Sequence, residues 1–251
     1  MSKIKQKIPL DIHTRHILIE VCCTGGNGRS PMAAGIANKI LDESKLRKIR
    51  FVSSGTRADT DKASEILGKK VYRSYENVEY ILGRAAENGF MEMPEISKEK
   101  YGSDRGYRNT ITDYVENALG YLRPIESAFR QVAMHDTGIK SELGGNWSDT
   151  WSGFQSRQTG WYHIDNSVTI LVLGVEDRHV EQAREIYESC YREDRDCMPL
   201  FHQINEYAGL SGHVAQAIGS LDIRDYFDIR DQFLDIMPKV IKRFIQDYEI
   251  L

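Results

Sequence analysis

The chain has 251 residues, 41% hydrophobic and 28% charged, and its 33 Lys and Arg against 37 Asp and Glu leave a formal net charge of −4. That balance argues against a nucleic-acid-binding surface, and no apolar run approaches the roughly 18 residues of a membrane span. Four cysteines are too few to staple a chain of this length, so a reducing, cytoplasmic setting is expected, where a free thiol survives.

The first residues, Met1 to Lys7, are charged and lack the apolar stretch of a secretion signal. The first apolar run, Ile17 to Val21, reads as a short buried strand. It leads into Cys23-Thr24-Gly25-Gly26-Asn27-Gly28-Arg29-Ser30-Pro31, after which Met32, Ile36 and Ile40 recur at helical spacing. Strand, glycine-rich turn and helix together make a phosphate-binding geometry. The turn's N–H groups form a nest, and the helix N-terminus adds partial positive charge. This turn also carries a thiol that can attack phosphorus and a guanidinium that can grip two phosphate oxygens. Its glycines allow positive φ and close approach, while Ser30 and Pro31 suit a helix start.

A second strand is predicted over 49–53, ended by Ser54-Gly55-Thr56. Residues of about 91–153 hold no strong strand. Within them Ile111 to Val132 reads as helical, broken near Pro124, and Gly144 to Phe154 is a glycine- and aromatic-rich loop. This segment is expected to be an insertion, either a lid over a site or a small core of its own built on Trp147, Trp151 and Trp161. The run 168–173 is continuously apolar, as in a parallel sheet, and a helix is predicted over about 177–191. A short strand fits 198–201, and a last helix fits about 229–248, with Phe233, Ile236, Val240 and Phe244 as its stripe. Strands alternating with helices imply an α/β fold: one domain over 1–251, a compact four-stranded parallel sheet flanked by helices, with the insertion at about 91–153.

These residues carry a resemblance. The strand before Cys23, the Cys-x5-Arg-Ser-Pro loop, Ser53-Ser54-Gly55-Thr56, the strand from Ser167 with its helix, and His202 to Gly209 resemble the low-molecular-weight protein tyrosine phosphatases and the related thiol-dependent arsenate reductases. The resemblance covers about 16–90 and 154–250. Gly26 stands where the family has the Asn that braces the loop, Gly28 where it has a second Cys, and Tyr226 where it has the Pro after its acidic residue.

The resemblance implies a cysteine-dependent phosphatase acting through a phosphocysteine, on protein phosphotyrosine above other phosphomonoesters, with no cofactor and no metal. Cys23 would be the nucleophile and Arg29 the clamp on the equatorial oxygens. Ser30 would hydrogen-bond the sulfur, and the N–H groups of Thr24, Gly25, Gly26, Asn27, Gly28 and Arg29 would cradle the phosphate. Asp225 would be the general acid, with Asp228 and Asp222 next in line. Asn27 falls at a pocket wall whose polarity in the family goes with phosphoarginine, so the leaving group is open. Tyr226 and Phe227 are either an aromatic wall or core. The implied partner is a phosphorylated protein or small phosphomonoester, with no nucleic acid and no membrane; the oligomeric state is open.

Two rival readings stand beside this one. Cys190 and Cys197 have the spacing of the arsenate reductase pair, although they follow a helix rather than the third strand. A phosphate-binding pseudophosphatase would keep the loop as an interaction module. Cys22 should alternate away from Cys23 into the core. His179 reads as a structural, exposed residue at a helix start.

Overall fold

The computed structural model describes residues 16–26, 28–59, 66–67, 75–135, 137–140, 157–160, 167–190, 198–217 and 220–248. Four parallel strands, β1 (His16–Cys23), β2 (Ile49–Gly55), β3 (Ser167–Gly174) and β4 (Leu200–Gln203), form one sheet in the order β2-β1-β3-β4. This is the expected α/β architecture. Strand β1 lies inside the sheet and is covered on both faces, which is why Ile17, Leu18, Ile19 and Val21 are all buried. Its side chains alternate. Ile17, Ile19, Val21 and Cys23 join the main core, whereas Cys22 packs with Val172, Ala183 and Tyr187.

Seven helices are described: α1 (Arg29–Glu43), α2 (Tyr75–Glu87), α3 (Lys98–Ser103), α4 (Arg105–His135), α5 (Asp177–Cys190), α6 (Ile204–Tyr207) and α7 (Ile223–Tyr248). Met32 and Ile36 of α1 meet Phe233, Ile236, Val240 and Phe244 of α7 in the main core, so the predicted stripe is the buried one. Helix α7 starts six residues earlier than its apolar period announces. Its first turn interleaves Ile223 and Tyr226 with Arg224 and Asp225, and Asp225 there favours a helix N-terminus.

Helices α2, α3 and α4 share a second apolar cluster that includes Val78, Ile81, Leu82, Val115, Leu119 and Leu122. Farther along α4, Ala133 and Met134 enter the main core. Pro124 does not break α4, contrary to expectation. Pro124 and Gly120 are both exposed, so water can satisfy the carbonyl that Pro124 leaves without a donor. Pro238 and Leu234 repeat the arrangement in α7. The Trp147, Trp151 and Trp161 region lies outside the described residues.

Strand order reverses at β1, with β2 on one side and β3 on the other. The carboxyl ends of β1 and β3 therefore flank a topological switch point, where open α/β sheets bind ligands. The Cys23 loop begins there.

Candidate active site

Cys23 is the last residue of β1, and only 5% of its surface is exposed. Its Sγ accepts the Gly26 N–H at 3.3 Å and lies 3.2 Å from Ser30 Oγ. Ser30 Oγ in turn lies 3.0 Å from the Ser54 carbonyl, to which it donates. A hydroxyl has one proton. With that proton on Ser54, a Cys23 thiol donates to Ser30; once Cys23 is a thiolate, the hydroxyl can turn and donate to sulfur. The expected Ser30 contact is thus present, supported from β2.

The loop is braced by the strand ends around it. Gly26 adopts φ 68°, a conformation that glycine enters without penalty. Thr56 N–H donates to Cys23 O, Arg57 N–H to Thr24 O, and Val175 N–H to Cys22 O, at 2.9, 2.9 and 3.0 Å. Gly55 is pressed against the loop backbone. A Cβ there would lie 2.6 Å from both Gly25 C and Gly26 N. Asn27 lies outside the described residues.

Two residues just after β3 complete the brace, and sequence reading gave them no such role. His179 is fully buried rather than exposed. Its Nδ1 accepts the Glu176 N–H at 3.1 Å, which leaves the Nε2 proton to meet Thr24 Oγ1 at 2.9 Å. This is a capping-box relation, in which the third helical residue satisfies the N-cap N–H. That need draws the ring inward, and the sequence signal was the Glu176-x-x-His179 spacing across a strand-to-helix junction.

Glu176 holds Arg29. Its Oε1 is 2.6 Å from Arg29 Nη1, and its Oε2 accepts Arg178 Nε–H at 2.7 Å. Burial pushes this carboxyl up, but Arg29 and the cations beside it prevail and hold it at about 2. The Val214 carbonyl also meets Arg29 Nη1, at 3.5 Å. Among the described residues, these contacts fall on Nη1. Among those residues the Nε–Nη2 edge, whose geometry matches two phosphate oxygens, makes no such contact.

Cys23, Thr24, Gly25, Gly28 and Arg29 floor a pocket whose upper walls come from α2 and α4: Asn77 and Ile81, then Leu119, Arg123 and Glu126. Leu119, Arg123 and Glu126 fall on one face of α4 by helical spacing. Arg178 and Gln216 close the remaining side. Asp225 is not part of this lining. It is exposed in the first turn of α7 and accepts a hydrogen bond from Ser220 Oγ. Asp228 is exposed too, and Asp222 is tied to Arg224 at 2.9 Å. Tyr226 is a core residue. It is buried, its hydroxyl donates to Ala217 O at 2.8 Å, and its ring packs on Phe129.

Cys22 is buried on the opposite face of β1, as alternation requires, and burial pushes its thiol well up. Cys190 is exposed at the last residue of α5. The 14-residue helix begins beside the loop, so at 1.5 Å per residue its end lies about 20 Å away. Cys197 lies outside the described residues.

No family model matches the chain, and no curated protein does. Among solved structures it is similar to the YwlE arginine phosphatase from Geobacillus stearothermophilus, at 16% identity and TM-score 0.46, over 92% of this chain and 94% of that one. A YwlE mutant from Bacillus subtilis gives 16% and 0.47, over 91% and 98%. A low molecular weight protein tyrosine phosphatase from T. tengcongensis gives 16% and 0.43, over 91% and 99%. Likenesses with TM-scores this low carry no weight for the chemistry, which rests on the residues of the site itself.

Proposed function

We propose that this chain is a cysteine-dependent phosphatase that hydrolyses phosphomonoesters, with phosphotyrosine on protein as its substrate. The observation that carries the proposal is the arrangement at the end of β1. Cys23 Sγ is held by Ser30 Oγ and Gly26 N–H, beside an Arg29 that Glu176 locks in place.

The chemistry follows from these positions. The Cys23 thiolate attacks phosphorus, the bond to the leaving oxygen breaks, and a phosphocysteine forms. Arg29 offers two parallel N–H groups to the equatorial oxygens, where charge develops. The N-terminus of α1 adds its dipole to the same oxygens. Ser30 donates to sulfur, steadying it first as nucleophile and then as leaving group when water attacks the phosphocysteine. Ile81 and Leu119 supply apolar walls above the loop, a surface suited to an aromatic ring. An arsenate cycle through Cys190 is disfavoured by the roughly 20 Å that α5 puts between that thiol and the loop.

The test is turnover of a phosphotyrosine peptide by wild type and Cys23→Ser under reducing conditions, with acid quenching to trap the phosphoenzyme. Cys23-dependent phosphate release and a label on Cys23 are expected. Oxyanion binding with no turnover would leave a binding module instead, and phosphate release by Cys23→Ser would sink the mechanism.

A further inference from the structure

A phosphotyrosine leaves as a poor anion unless its oxygen is protonated, so the site needs an acid. Sequence resemblance points to Asp225, yet that carboxylate is exposed on α7 and is not among the pocket lining. Among the described residues, the one carboxylate in that lining is Glu126 of α4. We propose that Glu126 is the general acid of the first step and the general base of the second. This inference rests on the phosphatase reading above.

The geometry is close and specific. A Cβ built on Gly28 would lie 1.9 Å from Glu126 Oε1 and 2.7 Å from its Cδ. The carboxylate therefore sits directly on the residue that precedes Arg29, and only glycine leaves it that space. The helix carrying it is fixed at several points. Leu119 and Leu122 pack with Ile81 and Leu82 of α2, and Phe129 meets Tyr226 of α7 with ring centroids 5.4 Å apart. A catalytic group on a rigid helix, anchored on both sides, keeps its aim.

The groups facing Glu126 suit a proton that comes and goes. Arg123 and Arg130 are on its own helix, Arg29 comes from α1, Cys23 from the end of β1, Arg178 from α5 and Tyr226 from α7. From α2 come Asn77 and Ile81. Burial pushes the Glu126 carboxyl up from its ordinary value, and Arg29, Arg130 and Arg123 pull it back without cancelling the rise. A carboxyl moved toward neutrality is better matched to acid–base work.

In the first step the Cys23 electron pair forms the S–P bond. The P–O bond breaks, and the leaving oxygen takes the Glu126 proton. In the second, water attacks phosphorus and gives its proton to Glu126. The S–P bond breaks, and its electrons return to Cys23. The cycle ends with Glu126 protonated again and inorganic phosphate formed.

The experiment compares wild type, Glu126→Gln and Asp225→Asn on two substrates. One is a phosphotyrosine peptide; the other is 2,4-dinitrophenyl phosphate, whose leaving group needs no proton. The readouts are the pre-steady-state burst rate and the pH profile. Glu126→Gln is expected to lose about 10²-fold or more in phosphorylation rate on the peptide and less than about 10-fold on the dinitrophenyl ester. It should also lose the alkaline limb of the peptide profile and, on the dinitrophenyl ester, accumulate phosphocysteine. The proposal is overturned by equal loss on both substrates, by a gain in rate (a carboxylate that merely blocks the cradle), or by the leaving-group-dependent loss appearing in Asp225→Asn instead. If the wild type forms no Cys23 phosphoenzyme, the phosphatase reading itself falls, and this assignment with it. A wild-type burst with an unaffected Glu126→Gln removes this assignment alone.

Discussion

Replacing Glu176 by Gln tests the electrostatic frame of the site. Glu176 is four-fifths buried at its side chain and lies 2.6 Å from Arg29 Nη1. Its carboxyl moves from an ordinary 4.5 to about 2 in the folded chain. At about 1.4 kcal/mol per pH unit, that shift is worth on the order of 3 kcal/mol at neutral pH. The sign follows from proton uptake. Above pH 4.5 the carboxyl is ionised in both states, and the full contribution stands. As pH falls from there toward 2, the unfolded chain takes a proton that the folded one refuses, and the contribution drains away. About 1 kcal/mol of it should remain at pH 3. Glu176→Gln cannot titrate, and it leaves Arg29 near a neutral amide, a penalty that pH does not change. Urea unfolding of both proteins, in buffers free of phosphate, gives the difference in stability at each pH. That difference should shrink by about 2 kcal/mol between pH 7 and pH 3. A difference that stays flat within about 0.5 kcal/mol would refute the reasoning, because the ion pair would then contribute no more folded than unfolded.

Other perturbations follow from the same geometry. Gly55→Ala should cost about 2 kcal/mol or more and abolish phosphate binding by calorimetry, because its Cβ would meet Gly25 and Gly26 backbone that has no room to yield. Gly28→Ala should change the unfolding midpoint little, under about 1 kcal/mol, since what stands in its way is the tip of the Glu126 side chain. Its turnover of phosphotyrosine peptide should fall nonetheless, as the carboxylate is pushed off the loop. Glu20→Gln should show a pH trend opposite to that of Glu176→Gln. Glu20 is buried and accepts Tyr187 O–H and Gly160 N–H, and burial raises its pKa. The wild type therefore loses ground to Glu20→Gln as pH climbs above 4.5, measurable by thermal unfolding across pH 4 to 8.

Much of the fold was legible in the sequence because its signals are local. Each of the four strands is an apolar or β-rich run of the right length, and the loop announces itself through strand, glycines and helix. Cys22 and Cys23 show how far strand period alone reaches: adjacent in sequence, they face opposite sides of the sheet, one inert in the core and one at the pocket floor. What escaped depends on groups brought together from afar. His179 reads as a surface residue until the N–H it must satisfy is known. Pro124 reads as a break until its helix turns out to expose that turn. The start of α7 interleaves charges with Ile223, Tyr226 and Phe227, which blurs its apolar stripe and placed its start late, and Asp225 was aligned to a motif rather than to a place in the pocket.

Glu20 is fully buried, and Glu126 and Glu176 are partly so. All three are glutamates, and composition cannot tell them apart. Glu176 touches Arg29 directly and is driven down, so it stays ionised and serves as a fixed anion. Glu126 feels the same guanidinium alongside two others, but burial outweighs them, and its carboxyl rises. Glu20 is held by hydroxyl and amide donors, and it ties Gly160 to β1. When environment pushes neighbouring carboxyls in opposite directions, their roles separate with them. The one held down positions Arg29, the cation that binds phosphate in the proposed mechanism. The one raised beside that cation is the one able to carry a proton. In the proposed mechanism, α4 brings to the loop the acid that the loop lacks, and Gly28 leaves it the room.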